Sequence, residues 1–155
     1  MGNHRSEIVR VDTSDDILTL LADMGQTFAS THDIDASLDY AVKHIALYVG
    51  AAGSALFMLD NEDTELVCQA CYGATDIVGL RLKSDQGIVG FCVQNNSTDI
   101  VRDVYNDPRF HRGVDQETGF VTKSILCAPL SVKGNCIGAI ELINKDSSDG
   151  FKRYC

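Results

Sequence analysis

Tryptophan is missing from this chain, proline occurs twice, and positive charge is scarce. Thirteen lysines and arginines stand against 22 aspartates and glutamates, a net charge of −9 over 155 residues. A basic surface is what gathers nucleic acid and anionic lipid over long range, so neither is expected as a partner. An anionic small molecule is still admissible in a local nest of backbone N–H groups. No apolar run reaches the length that spans a bilayer. Residues 1–12 are polar, lack the apolar core of a signal peptide, and read as a tail or linker. The sequence therefore reads as a cytoplasmic chain without a membrane partner.

Catalytic signatures are also missing. There is no phosphate-loop lysine motif and no Ser-His-Asp or Cys-His pattern of a known nucleophile, so the pattern makes no case for an enzyme. Six cysteines are present, with Cys68-x-x-Cys71 the one close pair. No second pair or His-x-x-x-His follows, so no metal is expected. In a regular strand an odd separation sends Cys68 and Cys71 to opposite faces. They read as buried, reduced thiols acting as small hydrophobes.

What is present is ordinary globular composition, 45% apolar and 23% charged, enough for one domain with a real core. Thr13 or Ser14 can cap a first helix whose stripe is Ile17, Leu21, Met24 and Phe28, ending near Ser30. Asp33 or Asp35 can cap a second, with stripe Leu38, Val42, Ile45 and Val49 and Gly50 as C-cap. The two stripes can cover a sheet face or a partner subunit. Strands follow at 55–59 and 65–72, then a short strand at 80–82, a helix at 85–96 and a strand at 99–101. Residues 104–122 form a long loop with one helical turn. A strand at 124–132, interrupted by Pro129, is followed by a hairpin to a last strand at 136–143. Short connections imply antiparallel pairing. The fold class is α+β, one sheet with helices on its faces.

Three features can carry chemistry. Ile137, Ala139, Glu141 and Ile143 share a face of the last strand, which sets a carboxylate among apolar residues and demands a donor from protein or ligand. The alternative is an edge or solvent-facing acid. Asp115, Thr118 and Thr122 follow one another in the long loop, and the two threonines share a face if that segment is helical. The run Asp85-Gln86-Gly87-Ile88 enters a helix whose free N–H groups can hold a phosphate. Beside them, His111 with Arg109 and Arg112 makes a basic cluster that suits an anionic ligand or pairs with Asp107 and Asp115.

The blocks Asp85-Gln86-Gly87-Ile88-Val89-Gly90, Phe110-His111-Arg112-Gly113-Val114-Asp115 with Thr118-Gly119-Phe120, Ile125-Leu126-Cys127-Ala128-Pro129-Leu130 and Glu141-Leu142-Ile143-Asn144-Lys145 resemble the GAF family. The likeness is to the regulatory GAF domains of cyclic-nucleotide phosphodiesterases and cyanobacterial adenylyl cyclases. It implies a six-stranded antiparallel sheet with helices on both faces. It implies a buried cyclic nucleotide, cyclic GMP or cyclic AMP, as regulatory ligand, with no further cofactor. Its phosphate would lie near the Ile88 and Val89 backbone and His111. Asp115, Thr118 and Thr122 would line the sugar–phosphate and lid side, with Glu141 behind them. Ala55 falls where the family often has a polar base contact, and Cys71 and Tyr72 where it often has an aromatic followed by an acid; the Tyr72 ring can stack on a purine.

Asn144, Lys145 and Phe151 match the family's closing signature, and Cys155 falls where an acid is expected. That arrangement divides the chain into a tail at 1–12, a GAF domain at 13–151 and a truncated end at 152–155. It leaves Lys145 exposed or paired elsewhere, and residues 150–155 mobile. The resemblance further implies an attached catalytic domain in a longer parent, and the helical stripes imply a homodimer through the N-terminal helices. The alternatives are a GAF dimerisation module that binds no ligand, and a free methionine sulfoxide reductase with a reactive Cys92 or Cys127. A bilin-binding GAF domain would need a Cys-His pair, which is absent.

Overall fold

The computed structural model describes residues 13–145 and 150–151, with side chains from residue 16 onward. The expected tail at 1–12 and the end at 152–155 lie outside the described residues. Helix α1 (Thr13–Ser30) and helix α2 (Ile34–Val49) come first. Asp33 caps α2 by accepting the Ala36 N–H at 3.1 Å, and Gly50 closes it in the left-handed conformation at φ 75°. Strands β1 (Ala51–Leu59), β2 (Glu65–Tyr72) and β3 (Arg81–Lys83) lead to helix α3 (Gly87–Asn95) and strand β4 (Asp99–Val101). After a single 3-10 turn (Val104–Asn106) comes the short helix α4 (Gly113–Thr118), then β5 (Ile125–Val132) and β6 (Asn135–Lys145).

The six strands form one antiparallel sheet in the order β3-β2-β1-β6-β5-β4. One face is covered by α2, through Val42 and Ala46 packed over Leu56, Ala70 and Leu142. The other face carries α3, with Ile88, Val89, Cys92 and Val93 packed over Phe57, Leu66, Cys127 and Ala139. The expected α+β sheet with helices on both faces is therefore what forms. Gly138 is needed where β6 crosses β1, because a Cβ there would lie 2.2 Å from the Phe57 carbonyl oxygen.

Several local expectations change. Pro129 does not interrupt β5. It pairs opposite Ala139 beyond the last residue that β4 reaches, where no neighbour asks for its missing N–H. A bulge at Gln69 shifts the alternation of β2, so that Cys68 and Cys71 face the same α3-side core. A second bulge at Ile137 takes that residue out of the shared face, and Cys136 packs against the core in its place. The stripe of α2 is used as expected, but α1 lies mostly in water, with Ile17, Leu18, Leu21 and Phe28 exposed.

Candidate functional site

Between the α3-side face of the sheet and the 104–122 segment lie two cavities of about 60 and 70 Å³. The outer one is bounded by the ends of β1 and β2, by residues 73–77 and by α4. The inner one runs under α3 to Glu141. Ile77, Val114, Asp115, Thr122 and Ile143 line both and form the partition. The loop at 73–77 contributes because Gly73, at φ 135°, turns against Gly53. A Cβ on Gly73 would meet the Gly53 Cα at 3.2 Å.

All ten residues expected at a ligand line one cavity or the other. Ala55, Cys71, Tyr72 and Thr118 border the outer one, Ile88, Val89, His111 and Glu141 the inner one, and Asp115 and Thr122 both. Their roles are unequal. Tyr72, beyond the bulge, borders the outer cavity and also packs against the α2-side core. Cys71 takes the inward position, and its sulfur accepts the Ile77 N–H at 3.4 Å.

Thr118 and Thr122 do not share a helical face. Helix α4 ends at Thr118, whose hydroxyl turns back to the Val114 carbonyl at 2.8 Å, and Gly119 reverses the chain at φ 71°. Thr122 arrives from that reversal and is bound by Asp115. Its hydroxyl donates to Oδ1 at 2.7 Å and its N–H to Oδ2 at 2.8 Å, where the Tyr105 hydroxyl also donates at 3.0 Å.

The basic cluster is dispersed. Arg109 binds Asp99 and Asp107 and lies 4.4 Å over the Phe91 ring, while Arg112 reaches the Tyr105 carbonyl. Its hydrogen bonds with Arg109 hold the Asp107 carboxyl below its usual range. His111 remains beside the inner cavity, exposed, with a ring nitrogen 3.1 Å from Gln86 Nε2.

Glu141 is half-buried and lines the inner cavity. Burial raises its carboxyl to about 7, against a smaller opposing pull from the Val89 amide. Cys92 and Cys127 are both buried in the α3-side core, and the neighbouring Cys92 thiol and then burial drive the Cys127 thiol upward. Burial, then the neighbouring Cys71, pushes Cys68 to about 12.

The closing motif is structural in this conformation. Asn144, at φ 54°, accepts the Lys123 and Ser124 N–H groups on Oδ1 at 2.6 and 3.2 Å, and donates from Nδ2 to the Val121 carbonyl at 2.9 Å. Lys145 is paired elsewhere, as expected: its Nζ donates to the Val49 carbonyl at the end of α2, 2.6 Å away. Phe151 is buried with Ala46, Ala51 and Leu142. Sequence reasoning missed Ile77, Val114 and Ile143, the apolar part of the partition. It also missed Tyr105, which anchors Asp115 from ten residues upstream. Gly53 and Gly73, facing each other at the β1–β2 ends, were the available signal for the 73–77 wall.

A sheet with an enclosed, mixed polar and apolar cavity under a short-helix lid defines a small-molecule-binding sensor fold. The GAF domain family model matches residues 33–154, and the chain belongs to that family. Among curated proteins it is similar to the probable 3',5'-cyclic phosphodiesterase pde-5 of Caenorhabditis elegans. The two are 28% identical over 80% of this chain, which spans about a fifth (20%) of that relative. Among solved structures it resembles the GAF domain of a phosphoenolpyruvate-protein phosphotransferase from Coxiella burnetii (TM-score 0.75, 23% identity, 84% of this chain and 79% of that one). It also resembles a free methionine-R-sulfoxide reductase from Neisseria meningitidis in complex with its substrate (TM-score 0.69, 20% identity, 86% and 75%). At these identities the solved structures speak for the fold.

Among the described residues no helix is long and apolar enough to cross a membrane, and no group of His, Cys, Asp and Glu is arranged to hold a metal.

Proposed function

We propose that this GAF domain binds a cyclic nucleotide, cyclic GMP or cyclic AMP, in the joined cavities under α4 and relays its occupancy to a catalytic domain attached in a longer, cytoplasmic parent protein. The observation that carries this reading is the convergence of ten residues, drawn from five elements and the segments between them, on two cavities with a common wall. The phosphodiesterase relative supports the choice of ligand class.

The cavities as they stand are far below the roughly 300–1,000 Å³ of a small-molecule site. Binding therefore requires the partition to open. Asp115 and Thr122 are its polar members, so their mutual hydrogen bonds are the ones a ligand replaces. Regulation rather than catalysis fits the thiols, since Cys92 and Cys127 are fully buried.

Calorimetric titration tests this directly. Cyclic GMP or cyclic AMP binds more tightly than the linear monophosphate, because the lid closes over the ring. If neither binds at about 100-fold molar excess over the protein, and no nucleotide is released on denaturation, the reading fails.

A second reading is favoured by one observation, the exposed stripe Ile17, Leu18, Leu21 and Phe28. A stripe of this kind is a liability in water unless covered. On that reading the domain is a homodimerisation module through α1, with or without a ligand.

A further inference from the structure

The inner cavity, where the α3 amides would meet a ligand anion, is also lined by a carboxyl of the protein itself. Glu141 stands on β6 between in-register neighbours Ala55 and Cys127, neither of which can neutralise it. From α3 the Val89 amide faces it across the inner cavity lining and pulls weakly against the effect of burial. The titratable groups around it are Cys127 from β5, Cys92 from α3, Cys68 from β2 and, farther off, Asp99 from β4. Across the inner cavity stand Asp115 from α4 and His111 just before it. Among the described residues no lysine or arginine lines either cavity, and Arg109 and Arg112 are held elsewhere.

An ionised Glu141 and a ligand phosphate would share one small cavity, where like charges repel more than in water. A protonated Glu141 removes the conflict. Its O–H donates to a ligand oxygen. The proton comes from solvent and returns to solvent when the ligand leaves.

We infer that an anionic ligand enters the inner cavity only together with a proton on Glu141, which makes this residue the charge filter of the site and makes nucleotide affinity proton-linked. The inference rests on the cyclic-nucleotide reading above. Burial raises the Glu141 carboxyl to about 7 in the empty domain, so the proton is available near neutrality. A neutral ligand of the same shape would bind without it.

Titration of the whole chain with cyclic GMP and cyclic AMP between about pH 6.5 and pH 8.5, in two buffers of different ionisation enthalpy, decides the matter. Affinity falls roughly tenfold per pH unit above 7, and about one proton is taken up per ligand at pH 8. Glu141→Gln keeps the low-pH affinity within a few-fold and loses both the slope and the uptake. Binding by the unaltered domain with a flat pH profile and no uptake overturns the inference and leaves the nucleotide reading standing. A slope that persists in Glu141→Gln also overturns it, by assigning the proton to another group such as His111. Failure of both nucleotides to bind at pH 6.5, in both proteins, defeats the nucleotide reading and this inference with it. Should Glu141→Gln not fold, the proton count of the unaltered domain and the carboxyl stretch in infrared difference spectra on ligand addition distinguish the same outcomes.

Discussion

Asp115 holds Thr122 at both of its carboxylate oxygens, one by the threonine hydroxyl at 2.7 Å and one by its backbone N–H at 2.8 Å. Seven residues and a left-handed turn separate the two. The bond fixes α4 against the strand that follows and closes the wall between the two cavities. Removing either partner has two expected effects. Asp115→Ala and Thr122→Ala each weaken nucleotide binding by about 1–3 kcal/mol, the cost of an unpaired buried group. Each also lowers the stability of the empty domain, by about 1–2 kcal/mol for a bond to a charged acceptor. A double-mutant cycle in denaturant titration should return a coupling of the same order. Additive stability losses would show that the pair contributes no mutual energy.

Asn144 supports a sharper comparison. It satisfies three backbone groups and sits at φ 54°, so Asn144→Ala loses its side-chain bonds and strains the backbone. The expected loss is on the order of 2–3 kcal/mol. Asn144→Gly relieves the strain but not the missing bonds, and should recover only part of it. Equal stability of the glycine variant and the unaltered protein, measured by urea midpoint, would show that the side-chain bonds are worth nothing.

Gly138→Ala should prevent normal folding or cost more than about 3 kcal/mol, because the clash is with backbone that cannot rotate away. Gly134→Ala is the control. It sits in the β5–β6 turn with no atom within 4 Å of the added carbon, and at φ 81° should cost only the roughly 1–2 kcal/mol of a left-handed alanine. Thermal melts of the two variants make the comparison.

The Glu141 carboxyl also predicts a pH dependence of stability without ligand. Its folded pKa, raised to about 7, lies above the unfolded value, so the folded state binds the proton more tightly. Below the unfolded value both states are protonated and nothing is lost. Stability contributed by the protonated acid then falls as pH rises from about 4.5 to 7 and is gone above. The difference between the domain and Glu141→Gln should grow across that window to about 2–3 kcal/mol in favour of the variant. Denaturant midpoints at a series of pH values measure it, and a constant difference would place Glu141 in contact with bulk water.

The exposed stripe of α1 predicts association. Leu21→Glu should leave the melting temperature of the domain nearly unchanged, since Leu21 is 58% exposed, and should dissociate the homodimer in sedimentation velocity. A monomer throughout the micromolar range before mutation would remove the dimer from the account.

Much of this was legible in the chain. The caps Asp33 and Gly50 and the stripe Leu38, Val42, Ile45 and Val49 place α2 and its buried face to within a residue. Glu141 stood out because a carboxylate in an apolar run has to be answered by something. Two of the failures share one cause, a change of phase inside an element. Gln69 and Ile137 are not turn residues and carry no local sign of a bulge. Their effect becomes visible only once β1 is laid beside β2, and β5 beside β6. Gly119 was a visible stop signal, yet the bond between Asp115 and Thr122 depends on where the chain goes after it. Cavity size is a property of packing across several elements and has no local pattern.

The clasp made by the last two residues of β6 has a mechanical consequence. Asn144 grips residues 121–124, which carry the lid, on one side of the sheet. Lys145, the next residue, grips Val49 at the end of α2 on the other. A sheet and its covering helix are otherwise about 10 Å apart, separated by close-packed side chains that yield little. Here the two layers are fastened to a single peptide unit. A pull on the lid reaches the helical layer through that hinge pin directly, without deforming the core between them.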